Sequence, residues 1–353
     1  MGEDTIRVGI IGAGANTRRY HIPGLRALPG VELVAVANRS RESSLRAAEE
    51  NGISQAAGHW REIIADRAID AVCIGTWPYM HAPITIAALE AGKHVLCEAR
   101  MAMNASEAHA MLDAARARPE LVAQIVPAPH TLALDQTIID LIGDGHIGGL
   151  VAIDAQITSG GGFPQWDSPA SWRHDRDLSG NNIMSIGIWY EAMMRWAGPA
   201  ATVQALGQTV VRHRNDDTGR RVAMAFPDHV DILCRLEQGG QMRLSVSTVV
   251  GFAPGIRISL YGTEGTIRIT EGNVGDFELG LWSGRRGDST VEPVEIAPEK
   301  MGGWRVEEEF INAVRGKETV THTDLVTAVK YMEWSDAVCV SLRTGETVHL
   351  PLY

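Results

Sequence analysis

Nowhere in these 353 residues do apolar side chains run on for the roughly 20 positions that a membrane-spanning helix requires. Cysteine is scarce: Cys73, Cys97, Cys234 and Cys339 lie far apart, with no CxxC pair, which argues against a disulfide framework and a zinc ribbon. Cys73 and Cys97 sit in apolar runs and are expected as buried, reduced thiols. The twelve histidines supply no HxxxH pair and do not gather with cysteines, so no metal site is expected. There is no GxSxG elbow. Basic charge is also short, with 32 Lys and Arg against 43 Asp and Glu. The resulting net charge of −11 argues against a nucleic-acid or anionic-membrane partner, since both need a basic surface. The opening "MGEDTIRVGI" runs into a strand and lacks the order of a signal peptide, so a cytoplasmic location is expected.

What is present is a change of texture near residue 127. Before it, apolar runs at "IRVGIIG", "VELVAVAN", "DAVCIGT", "KHVLCE" and "LVAQIVP" alternate with stretches of helical spacing such as "HAPITIAALEAG". Continuous apolar strands separated by helices imply a parallel sheet covered on both faces. The expectation for residues 1–126 is therefore a doubly wound, Rossmann-type α/β domain that binds a dinucleotide. After it, "VDILCRLEQGGQMRLSVSTVV" and "IRISLYGTEGTIRI" place Gly-containing turns between neighbouring strands, the mark of hairpins. Residues 127–353 are expected to form an α+β domain with an open, mainly antiparallel sheet that serves substrate binding and oligomerisation.

The stretch "VGIIGAGANT" puts Gly12 and Gly14 after a strand and before a helix, with Asn16 and Thr17 opening that helix. The first Gly permits a tight turn, and the second lets a pyrophosphate approach the backbone. Thr17 stands where the fingerprint has its third glycine. The second strand should end on the group that reads the adenosine ribose, and here that stretch is "VANRSRES". Neutral Asn38 replaces an acid, and Arg39 and Arg41 follow; guanidinium groups there suit a 2′-phosphate, so NADP is expected, with NAD as the alternative. The opposing reading is that both arginines merely decorate a helix start.

Several linked stretches resemble the Gfo/Idh/MocA oxidoreductases, the family of glucose–fructose oxidoreductase and inositol dehydrogenase. "DAVCIGTWPYMHAPITIAALEAGKHVLCEA" looks like its TPN-x-x-H…EAGKHVxxEKP segment, and "SWRHDRDLSGNNIMSIGIW" like its WR…GGGxLxDxGxH stretch. The resemblance implies hydride transfer between a nicotinamide cofactor and a small carbohydrate-like or cyclic hydroxy compound, in a homodimer or homotetramer. It adds Thr76, Trp77, His81 and Glu98 to the cofactor residues, and Trp172, Arg173 and Asn181 as substrate contacts.

The departures fall on the chemistry. Ala99 and Arg100 stand where the family has Lys and Pro, and Ser185 and Trp189 replace its Asp and His. Oxidising an alcohol needs an acceptor for the hydroxyl proton, worth about 10²–10⁴ in rate. Ala99 has none, and Arg100 holds anions better than it takes protons. Possible replacements are His130, Asp175, Tyr190 and Glu191; His130, just after "LVAQIVP", is the candidate taken, and Arg100, Ser185 and Trp189 complete the candidate catalytic set. Asn181, Ser185 and Trp189 are expected on one helix face at i, i+4 and i+8. Two alternatives stay open: a nucleotide-assisted lyase, hydrolase or epimerase, and a ligand-binding protein without turnover.

Overall fold

The computed structural model describes residues 5–159, 162–271 and 279–353. It divides into two compact units. The first contains Met1–Pro127, Asp177–Gly180 and Arg305–Met332, and the second contains Ala128–Arg176, Asn181–Trp304 and Glu333–Tyr353.

In the first unit, strands β1 (Ile6–Ile11), β2 (Val31–Ala37), β3 (Gln55–Ala57), β4 (Ala71–Ile74), β5 (His94–Cys97) and β6 (Ala123–Ile125) form one sheet. Its order is β3-β2-β1-β4-β5-β6, and every pairing is parallel. Val8, Ile10, Ala71, Val72, Leu96 and Cys97 are 0% exposed, which is what strands covered on both faces require. The covering helices are α1 (Ile22–Ala27), α2 (Arg41–Glu50), α3 (Trp60–Ala65), α4 (His81–Glu90) and α5 (Ala105–Arg116). Their starts are written locally. Ser40 and Ser43 form a reciprocal capping box at α2, and Asn104 accepts the Glu107 N–H at α5. Strand order reverses between β1 and β4, opening the crevice at which such sheets bind ligands.

The second unit holds α6 (Asp135–Gly143) and β7 (Leu150–Thr158). The chain then passes a single turn, α7 (Arg176–Ser179), before α8 (Ile186–Ala197). Strands β8 (Ala200–Gln208), β9 (His213–Asn215), β10 (Arg221–Ala223), β11 (His229–Leu236), β12 (Gln241–Ser247) and β13 (Ile256–Gly262) follow. Next come β14 (Gly265–Glu271), β15 (Leu279–Arg285), β16 (Glu292–Pro293) and, near the end of the chain, β17 (Val348–His349). The large sheet runs β16-β15-β14-β13-β7-β12-β11-β8-β17, while β9 and β10 form a separate hairpin. Among the described residues of this large sheet, β7 with β12 is the one parallel pairing. Along β11, Val230, Ile232, Cys234 and Leu236 are buried and the alternate positions face outward, as in a sheet with one wet face. The apolar run "DFELGLWSG" is described only from Leu279, residues 276–278 lying outside the described residues.

One expectation fails here. Asn181, Ser185 and Trp189 do not share a helix face, because α8 starts at Ile186 and Ser185 is its N-cap. Met184 has φ 42°, a left-handed backbone that cannot continue a helix, so Asn181 belongs to the preceding loop.

Helices α9 (Val306–Val314) and the first part of α10 (Leu325–Thr344) return to the first unit. The returning segment covers the open edge of β6: the Ile125 N–H donates to the Thr323 carbonyl at 3.1 Å, and Gln124 bridges Asp324. From α9, Glu309 accepts from Gln124 Nε2 (2.6 Å) and from the backbone N–H of Thr321 (3.0 Å). All four cysteines are free; Cys73 and Cys97 are buried as expected, and Cys234 is buried as well.

Candidate active site

A cavity of about 560 Å³ opens at the carboxyl ends of β1, β2 and β4 in the first unit. Gly12 makes it possible. Its φ of +89° suits only glycine, and a Cβ there would stand 2.6 Å from the Thr76 nitrogen. The position expected for a third glycine works differently. Thr17 is buried and donates its hydroxyl to the Gly12 carbonyl at 2.9 Å, and a Cβ on Gly75 would run into that hydroxyl. Close packing of helix start against strand end is thus supplied by Gly75 of the β4 turn.

Of the residues expected to hold a cofactor, Gly12, Gly14, Asn38, Arg39, Thr76 and Trp77 line this cavity. Asn38 reads the protein as well: its Oδ1 accepts the Ala13 N–H at 2.7 Å and its Nδ2 donates to Ser43 at 3.0 Å. The amide therefore stiffens the glycine loop. The Arg39 guanidinium lies 5.4 Å from the centre of the Trp77 ring. Asn16, Thr17, Arg41, His81 and Glu98 are not among the lining residues. Arg46, Ser40, Ser43, His59 and Trp60 are, and sequence reasoning missed them. Arg46 sits one helical turn beyond Glu42 on α2, so a helical projection from the Arg39 end of β2 was the available signal.

His81 and Glu98 brace the loops behind the cavity. His81 is fully buried with one ring nitrogen 2.9 Å from the Arg100 carbonyl and the other 3.0 Å from the Thr76 carbonyl. Burial lowers its pKa, so a neutral ring donates to one of the two. Glu98 closes a buried set. His21, 0% exposed, places Nδ1 2.5 Å from Glu307 and Nε2 3.1 Å from Glu98. Desolvation pulls the His21 pKa down, but the bonds to Glu307 and Glu98 outweigh it and raise it to about 9. For Glu98, burial pushes upward and the His21 bond pulls further down, leaving its pKa lowered. The other Glu98 oxygen accepts the Ala99 N–H at 2.9 Å. Both oxygens are thereby committed within the protein.

Arg100 is buried, 7% exposed, in the loop before α5, which begins at Ala105. The next residue, Met101, donates its N–H to the Tyr331 hydroxyl at 2.8 Å.

In the second unit, His130 and Trp189 come together, with rings 4.9 Å apart and nearly parallel at 18°. Trp189 is buried, whereas the accessible surface of His130 is that of an exposed residue; partial desolvation of the ring lowers its pKa. Ser185 stands one turn before Trp189, half-buried at the N-cap. Arg173 is exposed and folds over the Trp172 ring at 4.3 Å. Asn181 donates to Asp336 at 2.8 Å. Tyr190 and Glu191 are structural: the Tyr190 ring stacks on Trp334 at 4.1 Å, and Glu191 accepts the Ala128 N–H. Among the described residues no group of three His, Cys, Asp or Glu is arranged to hold a metal.

Residues 6–124 match the profile described as "Oxidoreductase family, NAD-binding Rossmann fold", and residues 136–268 match the "GFO/IDH/MocA C-terminal domain". The chain belongs to the Gfo/Idh/MocA family. Within it, the chain is 34% identical over 184 residues to the dTDP-3,4-didehydro-2,6-dideoxy-alpha-D-glucose 3-reductase of Streptomyces violaceoruber, covering 52% of each. It is 27% identical to the levoglucosan dehydrogenase of Pseudarthrobacter phenanthrenivorans, covering 85% of this chain and 83% of that one. For the first three curated relatives the match spans 56%, 52% and 43% of the relative, so the chain spans about half their length. A levoglucosan dehydrogenase solved with NADH and L-sorbose superposes with a TM-score of 0.84 at 22% identity, over 98% of this chain and 99% of that one. Both units of this Gfo/Idh/MocA chain therefore carry the family fold.

Proposed function

We propose that the chain is an NADP-preferring oxidoreductase acting on a carbohydrate-like hydroxy compound through a rearranged acid/base set. The carrying observation is the lining of the nucleotide cavity: Arg39 and Arg46 stand in it, and among the described residues no carboxylate does. NAD readers of this fold place an acid on the ribose hydroxyls, and a guanidinium pair suits a 2′-phosphate. Gly12 and Gly14 leave room for the pyrophosphate, and the buried Thr76 hydroxyl, without a hydrogen-bond partner among the described residues, offers a further polar contact. Bound nicotinamide would supply the hydride acceptor. The chain's own part is to hold the hydroxyl and receive its proton. His130 is suited to that: its lowered pKa keeps it neutral at pH 7, and stacking on Trp189 fixes its ring. Arg100 is assigned the substrate's oxygen, and Trp172 and Arg173 its body.

The relatives named above are called after deoxysugar nucleotides and anhydrosugars, which supports a small carbohydrate as substrate. Leu206 (77% exposed) and Leu233 (54%) lie on adjacent strands of the wet sheet face, which supports a homo-oligomer built there. No helix among the described residues is long and apolar enough to cross a membrane.

A second reading, a nucleotide-binding protein with a non-redox reaction or none, draws on Ala99 and on the committed Glu98 carboxylate. One experiment separates them. Purified protein is incubated with NADP⁺ or NAD⁺ and a panel of sugars, polyols and sugar acids, following reduced-cofactor absorbance and products by mass. Redox turnover faster with NADP⁺ is expected. Product formation without net reduction, or no product with any panel member, overturns the oxidoreductase reading.

A further inference from the structure

The second unit carries a basic cavity of about 440 Å³ that the nucleotide chemistry does not use. It lies between the β9–β10 hairpin and the turn around Gln165–Ser168, with Trp166, Asp167, Arg212, His213, Arg214 and Arg221 in its lining. Neither acid of the hairpin turn, Asp216 or Asp217, is in that lining, and Asp216 is spent within the turn. Asp216 accepts from the backbone and hydroxyl of Thr218, from the Arg220 backbone, and from the Arg220 guanidinium at 3.2 Å. Arg214 is also spent, as a clamp donating to the carbonyls of Gln165 and Ser168 at 3.1 Å each. That clamp holds Trp166 at the rim, 62% exposed.

Arg212 and Arg221 remain. Among the described residues neither forms an ion pair, and Arg221 meets only the His213 ring nitrogen at 3.3 Å. In a chain of net charge −11, three guanidinium groups around one concavity against the single carboxylate of Asp167 form a local anion complement. The cavity also adjoins the segment assigned to substrate. The Ala170 N–H donates to the Asn215 carbonyl at 2.7 Å, two residues before Trp172 and three before Arg173.

We propose that this cavity seats the acidic group of the substrate, the phosphate or carboxylate of an anionic carbohydrate, with Arg212 and Arg221 on the oxyanion and the sugar ring against Trp166. Guanidinium binds both oxyanions through paired N–H donors, and an aromatic face covers the C–H face of a sugar ring. The proposal deepens the oxidoreductase reading and rests on it for the identity of the ligand as substrate.

The test is titration calorimetry on the full chain with glucose, glucose 6-phosphate and glucuronate. At least one acid is expected to bind about tenfold or more tightly than glucose, and the two arms tell phosphate from carboxylate. The preference should shrink with added salt. The Arg212→Ala/Arg221→Ala double variant, or Arg212→Gln/Arg221→Gln if the first is unstable, should lose the preference while NADP(H) affinity stays unchanged. Trp166→Ala should weaken all three sugars. Equal affinity for acids and glucose, or a preference that survives removal of both arginines, overturns the proposal. The outcomes are separable from those for the activity. Acids held through Arg212 and Arg221 without any redox turnover would sink the oxidoreductase reading alone. Neutral sugars oxidised at unchanged rates by the double variant, with no acid bound, would sink this one alone.

Discussion

Replacing His21 by Leu isolates the charge at the centre of the first unit. The side chain is 0% exposed, so its loss leaves Glu98 (8% exposed) and Glu307 (4% exposed) facing each other across an apolar residue. Carboxylates on opposite sides of one ring stand on the order of 7 Å apart and, at an effective dielectric near 20, repel by about 2 kcal/mol. Adding the uncompensated desolvation brings the expected loss to about 3–5 kcal/mol at pH 7, the range for breaking a buried ion pair. Protonating one carboxylate limits the damage, since it costs about 1.4 kcal/mol for each pH unit above roughly 4.3. The pH profile is diagnostic. The His21 pKa is raised from 6.5 to about 9, so its stabilisation is fully present below 6.5 and is lost as pH rises through 9. Glu98, with a lowered pKa, contributes above its ordinary 4.5 and loses that contribution as pH falls through the folded value. Urea unfolding of both proteins across pH 5 to 10 should therefore show the widest gap near pH 6–7, narrowing above 9. A His21→Leu protein within about 1 kcal/mol of the parent, with a parallel pH slope, would mean that the ring is neutral and the charge account is wrong.

Three further outcomes follow from the described contacts. Arg39→Ala and Arg46→Ala should each cost about 1–3 kcal/mol in NADP(H) binding and leave NAD(H) unchanged, as calorimetry would read; NAD(H) binding equal to or tighter than NADP(H) in the parent removes the 2′-phosphate assignment. Ala99→Lys alone should not yield a fast polyol dehydrogenase in a coupled absorbance assay, because Ser185 and Trp189 still leave the hydroxyl unheld; turnover of inositol at the rate of an unaltered family member would contradict this. Glu309 has its pKa lowered to about 2, burial pushing upward and the bonds to His322 and Thr321 pulling further down, so Glu309→Gln should lose about 1–3 kcal/mol at pH 7. Its deficit should fade as pH drops from 4.5 towards 2, and a deficit independent of pH would refute the charge role.

The sequence disclosed what depends on near neighbours. Strands β1, β4 and β5 were visible because burial on both faces leaves unbroken apolar runs, and β11–β12 and β13–β14 were visible through their glycine turns. The three-residue edge strand β3 carries no comparable signal. The parallel contact of β7 with β12 was hidden, since nothing local announces a partner nearly 90 positions away. The helix face through Asn181, Ser185 and Trp189 was misread because Met184, a residue with no turn preference, takes the left-handed backbone. In the lining of the candidate cofactor cavity, Gly12 and Gly14 were legible by residue type, while Arg46, His59 and Trp60 arrive by folding. His21 is the clearest case. In "TRRYHIPG" it reads as one more helical residue, and its meaning comes from Glu98 and Glu307, 77 and 286 positions away.

That separation has a consequence during synthesis. When residue 127 leaves the ribosome, the parallel sheet has all six strands, yet the edge of β6 is open, Gln124 faces no carboxylate, and His21 has Glu98 but not Glu307. Those partners lie in Arg305–Met332, which emerge only after the whole intervening sheet has been made. At about 5–20 residues per second the delay is on the order of ten seconds or more. The nascent first unit must wait through it with an exposed strand edge and a His21 ring held by Glu98 on one side only. An amino-terminal fragment ending near residue 127 would be held permanently in that state. Ribosome-bound chains halted before and after residue 332 should accordingly differ in protease resistance within the first 127 residues, although the sequence of that segment is the same in both.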